Sequence, residues 1–151
     1  MKSRRKARCL ALQVLYEVDC SGHILEEAFV HQRAVSALTD IQAAFALRIA
    51  EGAWGKRAWL DQVIHRHAPE WPLSQMAYID RNVLRIAIWE FAVSGETPLK
   101  VAINEAVELS KRFGSDSSAR FVNGVLGTLA AKENDVCQML AAKIKKETAE
   151  I

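Results

Sequence analysis

The residues with the clearest chemistry lie at the start of the chain, where five basic side chains fall within the first eight positions and no acid interrupts them. They are Lys2, Arg4, Arg5, Lys6 and Arg8. Because the whole chain carries a formal charge of +2, the rest of it sums to −3, and the positive charge is concentrated at one end. A short cationic segment on a mildly acidic body suits a polyanionic partner, and nucleic acid is the first candidate.

An aromatic side chain follows this basic segment. Tyr16 lies eight residues after Arg8, which is about two turns along a helix. Single-stranded nucleic acid is typically held by cationic side chains together with aromatic rings on which its bases stack. The alternatives at this point are a half-buried core tyrosine and a basic segment that only aids solubility.

Patterns typical of catalysis or metal binding are missing from the sequence. It contains no glycine-rich phosphate loop and no HExxH motif. His65 and His67 are two residues apart, so on a helix they diverge by about 200° and cannot share a metal. Cys9, Cys20 and Cys137 match no zinc spacing and are interpreted as reduced thiols. We therefore expect a protein that is not an enzyme and needs no metal or cofactor.

The composition indicates one globular domain in the cytoplasm. The chain has 151 residues, of which 50% are hydrophobic and 25% charged, which is enough apolar material for a core without crosslinks. No apolar run approaches the roughly 20 residues that a membrane span needs. The basic start is followed by Gln13, Glu17 and Asp19, where a signal peptide would be continuously apolar.

The spacing of apolar residues predicts an all-α fold that positions these side chains. Helical patterns occupy about residues 7–21, 23–33, 40–64, 73–93, 98–113 and 121–129. The fourth begins after Pro69 and Pro72, which divide the chain into halves. The third contains Gly52 and Gly55, so it is either one long helix or two bent pieces. A last pattern beyond Lys132 is either an appended helix or a frayed tail.

Three local expectations accompany these helices. Asp40 is expected to cap the third helix. Thr97 is expected to cap the helix that Pro98 opens. Asn123-Gly124 lies in a helical pattern rather than between strands, so Gly124 is interpreted as a site of close helix packing.

Several segments together resemble one family. One runs from Val101 to Lys111 as VAINEAVELSK and is followed by Phe113-Gly114, and another is FVNGVL at Phe121 to Leu126. The stretch from Asp80 to Phe91, which contains VLRIA, and the basic opening from Arg4 to Arg8 match as well. This combination resembles the signature of NusB, the bacterial transcription antitermination factor, over about residues 3–131.

The resemblance implies one NusB-like RNA-binding domain built as two stacked three-helix bundles. The subdomains would be about residues 1–70 and 71–132, with a C-terminal extension at 133–151. Members of the family are not catalysts. They bind the boxA element of ribosomal RNA leader transcripts together with the ribosomal protein NusE, and within the antitermination complex they help RNA polymerase to read through terminators.

The resemblance also implies roles for individual residues. Those at the RNA surface would be Arg4, Arg5, Lys6, Arg8, Tyr16, Asp116, Ser117, Phe121 and Asn123. The basic side chains would neutralise phosphates and the rings would stack on bases, although Phe121 could equally serve helix packing. Ser117 stands where relatives often have an acid. Asp80 and Glu105 would face NusE, although Glu105 could instead lie on a solvated face or pair with Arg85, for which a structural role is favoured.

A second hypothesis comes from a different class of function. The chain could be a helical interaction or dimerisation module without an RNA target, since an apolar face that docks a partner could also form a homodimer. Deleting the basic segment would then leave partner affinity unchanged.

Overall fold

The regular structure of the chain is helical throughout the described residues, which are 3–149 of the computed structural model. The helices are α1 (Ser3–Ser21), α2 (Leu25–Ala34), α3 (Asp40–Gly55), α4 (Arg57–His67), α5 (Tyr78–Ile88), α6 (Leu99–Phe113), α7 (Ser118–Ala130) and α8 (Glu133–Ala149). A short 3-10 turn at Leu73–Gln75 precedes α5, and a π turn at Trp89–Ser94 continues it. No strand occurs in residues 3–149, so the all-α prediction is confirmed.

The helices form two groups that share a core. In the first, α1 lies along α3 and α2 packs on α1; in the second, α6 packs against both α5 and α7. The groups meet where α1 packs on α5, and α4 contacts α5, α7 and α8. Fully buried side chains from both groups fill the centre, among them Leu12, Leu15, Ile49, Leu84 and Leu126. This arrangement has the two three-helix bundles that the resemblance implied.

The third helical pattern divides into two helices rather than one. Helix α3 ends at Gly55, and Lys56 separates it from α4. The expectation that Asp40 caps α3 is wrong by one residue. Thr39 is the cap, because its hydroxyl accepts from the Gln42 backbone N–H while the Gln42 side chain accepts from the Thr39 N–H.

Gly52, and not Gly124, is the glycine on which a neighbouring side chain packs closely. At Gly52, a Cβ would lie 2.2 Å from Trp89 Cε2, so the absent side chain lets the indole press on the backbone of α3. At Gly124, a Cβ would meet no neighbouring atom within 4 Å, and the residue is exposed. The interpretation of Gly124 as a close-packing site is therefore wrong, because this face of α7 points to solvent.

The start of α6 also differs from expectation. The helix begins at Leu99, with Pro98 just before it, and the Thr97 side chain caps nothing. Its hydroxyl donates instead to Glu90 Oε1 at 2.9 Å. Thr97 therefore belongs to a buried polar cluster rather than to the helix end.

The residues beyond Lys132 form an ordered helix. Val136 and Leu140 of α8 are buried, and α8 packs on α4, α7 and the π turn. The Trp59 indole N–H donates to Glu147, and Lys143 lies over the same ring at 5.4 Å from its centroid. The appended-helix alternative is therefore correct for residues 133–149. Among the described residues, no helix is long and apolar enough to cross a membrane.

Candidate nucleic-acid interface

The basic segment at the start of the chain forms the first turns of α1 rather than a separate arm. Arg4 and Lys6 are exposed, Arg5 is half-buried and Arg8 is buried. Lys2 lies outside the described residues. The four arginine and lysine side chains between residues 4 and 8 are therefore presented in different directions, because successive residues on a helix are about 100° apart.

Arg8 turns into the protein and pairs with Glu90 of the π turn. Its Nε donates to Glu90 Oε2 at 2.9 Å and its Nη2 donates to Oε1 at 2.7 Å. The two side chains are 4% and 3% exposed, and Thr97 supplies a further hydrogen bond to the carboxylate. The expectation that Arg8 neutralises a phosphate is contradicted by this burial, because the guanidinium is already paired and shielded from solvent.

Arg5 makes a second ion pair across the boundary between the two helix groups. Its Nε and Nη2 donate to the two carboxylate oxygens of Glu105 at 2.9 and 3.0 Å. Hydrogen bonding to Glu105, helped by its charge, raises the pKa of Arg5. Glu105 is largely buried, so the structure gives it an internal partner on α1 rather than an open acidic face.

Arg85 is structural, as favoured, but its partner is not Glu105. Its Nε and Nη2 donate to Asp61 at 2.8 Å, and its Nη1 donates to Asp19 at 3.0 Å. Asp19 also accepts two bonds from Arg81 at 2.7 Å and one from Asn82 at 2.9 Å. Burial alone would raise the pKa of Asp19, but the hydrogen bonds from Arg81 and Asn82 and the nearby positive charge outweigh it and lower that pKa.

A ring missed by sequence reasoning organises the arginines at this end of the molecule. The guanidinium carbons of Arg4, Arg8 and Arg48 lie 4.9, 5.5 and 5.7 Å from the centroid of Phe45. Cation–π attraction adds to the ion pairs of Arg8 with Glu90 and of Arg48 with Glu96 in orienting these side chains. The position of Phe45 three residues before Arg48 on α3 gave no signal by itself, because the contact depends on how α1 and α3 pack.

Two pockets lie along α1 after the basic residues, and we call them together the groove. The first is lined by Arg5 and Cys9 of α1 and by Glu108, Lys111 and Arg112 of α6. The second is lined by a mixed set of side chains, namely Leu12, Gln13, Tyr16, Glu17, Ile79 and Phe113. Lys111 and Arg112 were not among the predicted site residues, although basic side chains in the last turn of a helix are a recognisable surface feature.

Tyr16 lies on this groove as an accessible ring. It is 42% exposed and meets Tyr78 edge to face, with ring centroids 6.2 Å apart. The Arg81 guanidinium lies 4.4 Å from the centroid of Tyr78. Tyr16 is therefore a half-buried ring with an accessible part, which leaves both interpretations open, and Tyr78 adds a second exposed ring beside it.

A pocket of about 340 Å³ brings together residues that were predicted for two different partners. Phe121 and Ser117, predicted for RNA, and Asp80, predicted for NusE, all line it. Trp71 forms a third side, 52% exposed and edge to face with Phe121 at 5.9 Å between centroids. Asp80 Oδ1 is buried and has no hydrogen-bond partner among residues 3–149. Trp71 was missed because the neighbouring prolines were interpreted only as a break between helices.

The remaining predicted residues lie close to this pocket in the chain. Asp116 and Ser117 are exposed in the turn before α7, and Asn123 is exposed on α7 itself. The turn is held by Ser118, whose Oγ accepts from the Ser115 N–H at 2.9 Å. The exposed cations, the groove and the two pairs of rings form a surface suited to a single-stranded polyanion with stacking bases.

Comparisons with known proteins agree with the resemblance seen in the sequence. The family model described as "NusB family" matches residues 5–131. The Transcription antitermination protein NusB of Roseiflexus sp. (strain RS-1) is 44% identical over 131 residues, which cover 85% of this chain and 92% of that protein. The protein of the same name from Dehalococcoides mccartyi (strain ATCC BAA-2266 / KCTC 15142 / 195) is 47% identical over 128 residues, which cover 85% and 90%.

Solved structures share the architecture. T. maritima NusB superposes with a TM-score of 0.74 at 28% identity and covers 95% of this chain and 96% of its own. A crystal structure of the antitermination factors NusB and NusE in complex with dsRNA contains a chain that superposes with a TM-score of 0.73, covering 92% and 98%. At 23% identity, that likeness shows the fold alone.

Proposed function

This chain belongs to the NusB family, and we propose that it binds boxA-type single-stranded RNA of ribosomal RNA leader transcripts together with NusE. In that role it supports transcription antitermination by RNA polymerase as a regulatory RNA-binding factor rather than as an enzyme. The observation that carries the proposal is the groove along α1, which is lined by Arg5 in its first pocket and by the ring of Tyr16 in its second, on the same helix as the exposed cations Arg4 and Lys6.

The charges of this groove favour a nucleic acid. Arg4 and Lys6 are exposed on the first turns of α1, and Lys111 and Arg112 are exposed on the α6 wall of the groove. Phosphate contacts made by such side chains release counterions, so binding weakens steeply as salt rises. The acid of that wall is Glu108, which pairs with Lys111 at 3.5 Å, while Glu105 is engaged by Arg5.

The aromatic side chains supply the stacking that a flexible strand requires. Tyr16 and Tyr78 stand at one place on the surface, and Trp71 and Phe121 stand at another. Each pair is edge to face, so an exposed ring face is available for a base while the partner ring fixes its orientation. We propose that the bases of the RNA stack on these rings, with Asp116, Ser117 and Asn123 contributing hydrogen bonds.

We propose that NusE is the protein partner and that Asp80 contributes to its site. The buried, unpartnered Oδ1 of Asp80 supports a contact that donates hydrogen bonds to this carboxylate, since an unsatisfied acceptor costs free energy. Because Asp80 and Phe121 line one pocket, RNA and protein partners would meet there.

We further propose that residues 1–70 and 71–132 act as two subdomains of one binding unit. The pairs Arg8–Glu90 and Arg5–Glu105 support this because each joins α1 to the second helix group. The RNA groove lies along the same boundary.

The test is a fluorescence-anisotropy titration of boxA-type single-stranded RNA, with and without NusE, over a series of salt concentrations. Tight, sequence-selective binding that strengthens with NusE is the expected result. The double variant Arg4→Gln and Lys6→Gln is expected to weaken binding and reduce the salt slope, with Lys145→Gln on α8 as the control. Binding that is indifferent to RNA sequence and to NusE would favour a helical interaction module instead.

A further inference from the structure

A second cationic pocket lies at the far end of α7, where α4, α7 and α8 meet. It has a volume of about 390 Å³. Arg66 and His67 come from the end of α4, Thr128 comes from α7, and Lys132 and Met139 come from the turn before α8 and from α8 itself. Helix α8 lies outside the residues matched by the family model, so this pocket combines the family domain with the C-terminal extension.

The two cations of this pocket have no carboxylate partner in residues 3–149. Arg66 Nη1 donates to the thioether sulfur of Met139 at 3.1 Å, and a thioether is a weak acceptor for a guanidinium with five donors. Lys132 makes no ion pair within the same residues and is exposed. The acid among the lining residues is Asp135, which stands in the first turn of α8, where the helix dipole stabilises a negative charge.

Two further polar side chains, His67 and Thr128, are held in position at the pocket. His67 Nδ1 lies 2.8 Å from the Val63 carbonyl oxygen, so this nitrogen carries a proton and donates. That bond fixes the orientation of the imidazole ring. Thr128 contributes a hydroxyl that donates to the Gly124 carbonyl at 3.1 Å and retains acceptor capacity.

The exposed face of α7 connects this pocket to the RNA surface proposed above. Asn123, Gly124, Gly127 and Thr128 are all exposed along it. A Cβ placed at Gly124 or Gly127 would meet nothing within 4 Å, so no other element of residues 3–149 covers the helix there. Phe121 and Thr128 are seven residues apart on α7, so the pocket lies about 10 Å along the helix from Phe121.

We infer that this pocket binds a backbone phosphate of the RNA and that the strand follows the open face of α7 to reach it. The inference rests on the proposed function, because it extends the same RNA beyond the rings. RNA is favoured over an acidic protein because the uncovered path begins at Phe121 and Asn123, two residues of the proposed RNA surface, and ends at cations that have no carboxylate partner within residues 3–149. The extension therefore lengthens the RNA footprint of the domain.

The test compares a boxA-type single-stranded RNA with the same RNA extended by a short uridine tract at its 5′ or its 3′ end. The affinity of the full chain is measured by anisotropy across salt concentrations. The pocket variant is Arg66→Gln with Lys132→Gln. The matched control is Arg57→Gln with Lys146→Gln, which removes the same charge from exposed positions at the other end of α4 and α8.

We expect the wild type to bind one of the extended RNAs more tightly than the short one. In the pocket variant, the affinity for that extended RNA should fall by a factor of about five. The salt slope measured with the extended RNA should decrease by about 1. Binding of the short RNA and the behaviour of the control should be unchanged. Equal losses in the pocket variant and the control would overturn the inference, because they would reflect total charge alone.

Three further outcomes separate this inference from the proposed function. If the short RNA binds but extension at neither end adds affinity, the phosphate site is wrong and the proposed function stands. If inorganic phosphate shifts the NMR signals of Arg66 and Lys132 while the extended RNA does not, the pocket holds a small free anion instead of RNA. If neither RNA binds, the proposed function fails and the inference fails with it.

Discussion

Arg8 Nη2 donates to Glu90 Oε1 at 2.7 Å in a site that solvent barely reaches, and this bond joins the first helix to the π turn after α5. A basic residue that a motif assigns to RNA therefore holds the two helix groups together. The neighbouring residue Arg5, three positions earlier, faces the groove and is only half-buried. The two arginines therefore have different roles, because Arg8 lies on the buried side of α1 and Arg5 lies at its edge.

Replacing Arg8 with alanine should destabilise the fold rather than act on RNA binding alone. The variant leaves Glu90 buried without its partner, so the free energy of unfolding should fall by about 3–5 kcal/mol. Urea denaturation followed by circular dichroism measures this. The double variant Arg8→Met with Glu90→Met should recover most of the loss, because it removes both charges. A stable Arg8→Ala protein with weakened RNA binding would instead return Arg8 to the RNA surface.

Tyr16 should contribute to RNA affinity through its ring. Tyr16→Ala should weaken binding of boxA-type RNA by about 1–3 kcal/mol, the usual contribution of one stacked base, whereas Tyr16→Phe should retain it. The measurement is anisotropy at fixed salt. Tyr16→Leu keeps an apolar side chain in the pocket that Leu12 and Ile79 also line, and it is the control for stability. Equal affinity for the phenylalanine and alanine variants would place the RNA elsewhere.

The Asp19 cluster should make stability depend on pH at the acid side. The pKa of Asp19 is lower in the folded chain than in the unfolded one, so its contribution is present above the ordinary aspartate pKa of 3.8 and is lost as pH falls through the folded value. Asp19→Asn should therefore be less stable than wild type near neutral pH, by about 2 kcal/mol. The gap in urea midpoints should narrow below pH 3.8. A gap that stays constant with pH would show that the carboxylate charge is unimportant.

The two glycines should respond in opposite ways to alanine. Gly52→Ala places a methyl group against the Trp89 indole and should cost about 1–3 kcal/mol from overpacking. Gly124→Ala adds a methyl group in open space on a helix and should stabilise by about 0.5–1 kcal/mol. Thermal unfolding of both variants tests the pair. Destabilisation by Gly124→Ala would mean that another surface covers α7 in solution.

Helix content, helix order and the break near the prolines could be predicted because they depend on local spacing and local turn chemistry. The burial of Arg8 was harder to see, although it shares a face with Leu12 and Leu15 at helical spacing. Its partner lies 82 residues away, and no local pattern indicates a contact of that kind. The positive charge of Arg8 favoured an exposed role in RNA binding, whereas its spacing from Leu12 and Leu15 favoured burial, and burial is what the structure shows.

Contacts between residues on different helices also explain why other features of the site were not predicted. Trp71 and Phe45 contribute through contacts with residues on other helices, so single positions in the sequence did not reveal them. Thr97 had the right type for a cap, but the buried Glu90 carboxylate competes for its hydroxyl. The glycine at position 52 was judged by its helix propensity, whereas its role depends on the indole that approaches it.

The π turn at Trp89–Ser94 has a consequence for the length of the chain between α5 and α6. A π turn contains one residue more than the α-helical turn it replaces. Deleting Ala92 would restore the α-helical register, but it would rotate the following residues by about 100° and withdraw Thr97 from Glu90. A one-residue deletion here would therefore act on the buried ion pair with Arg8. A relative that lacked one residue at this place would therefore be expected to join its two helix groups differently.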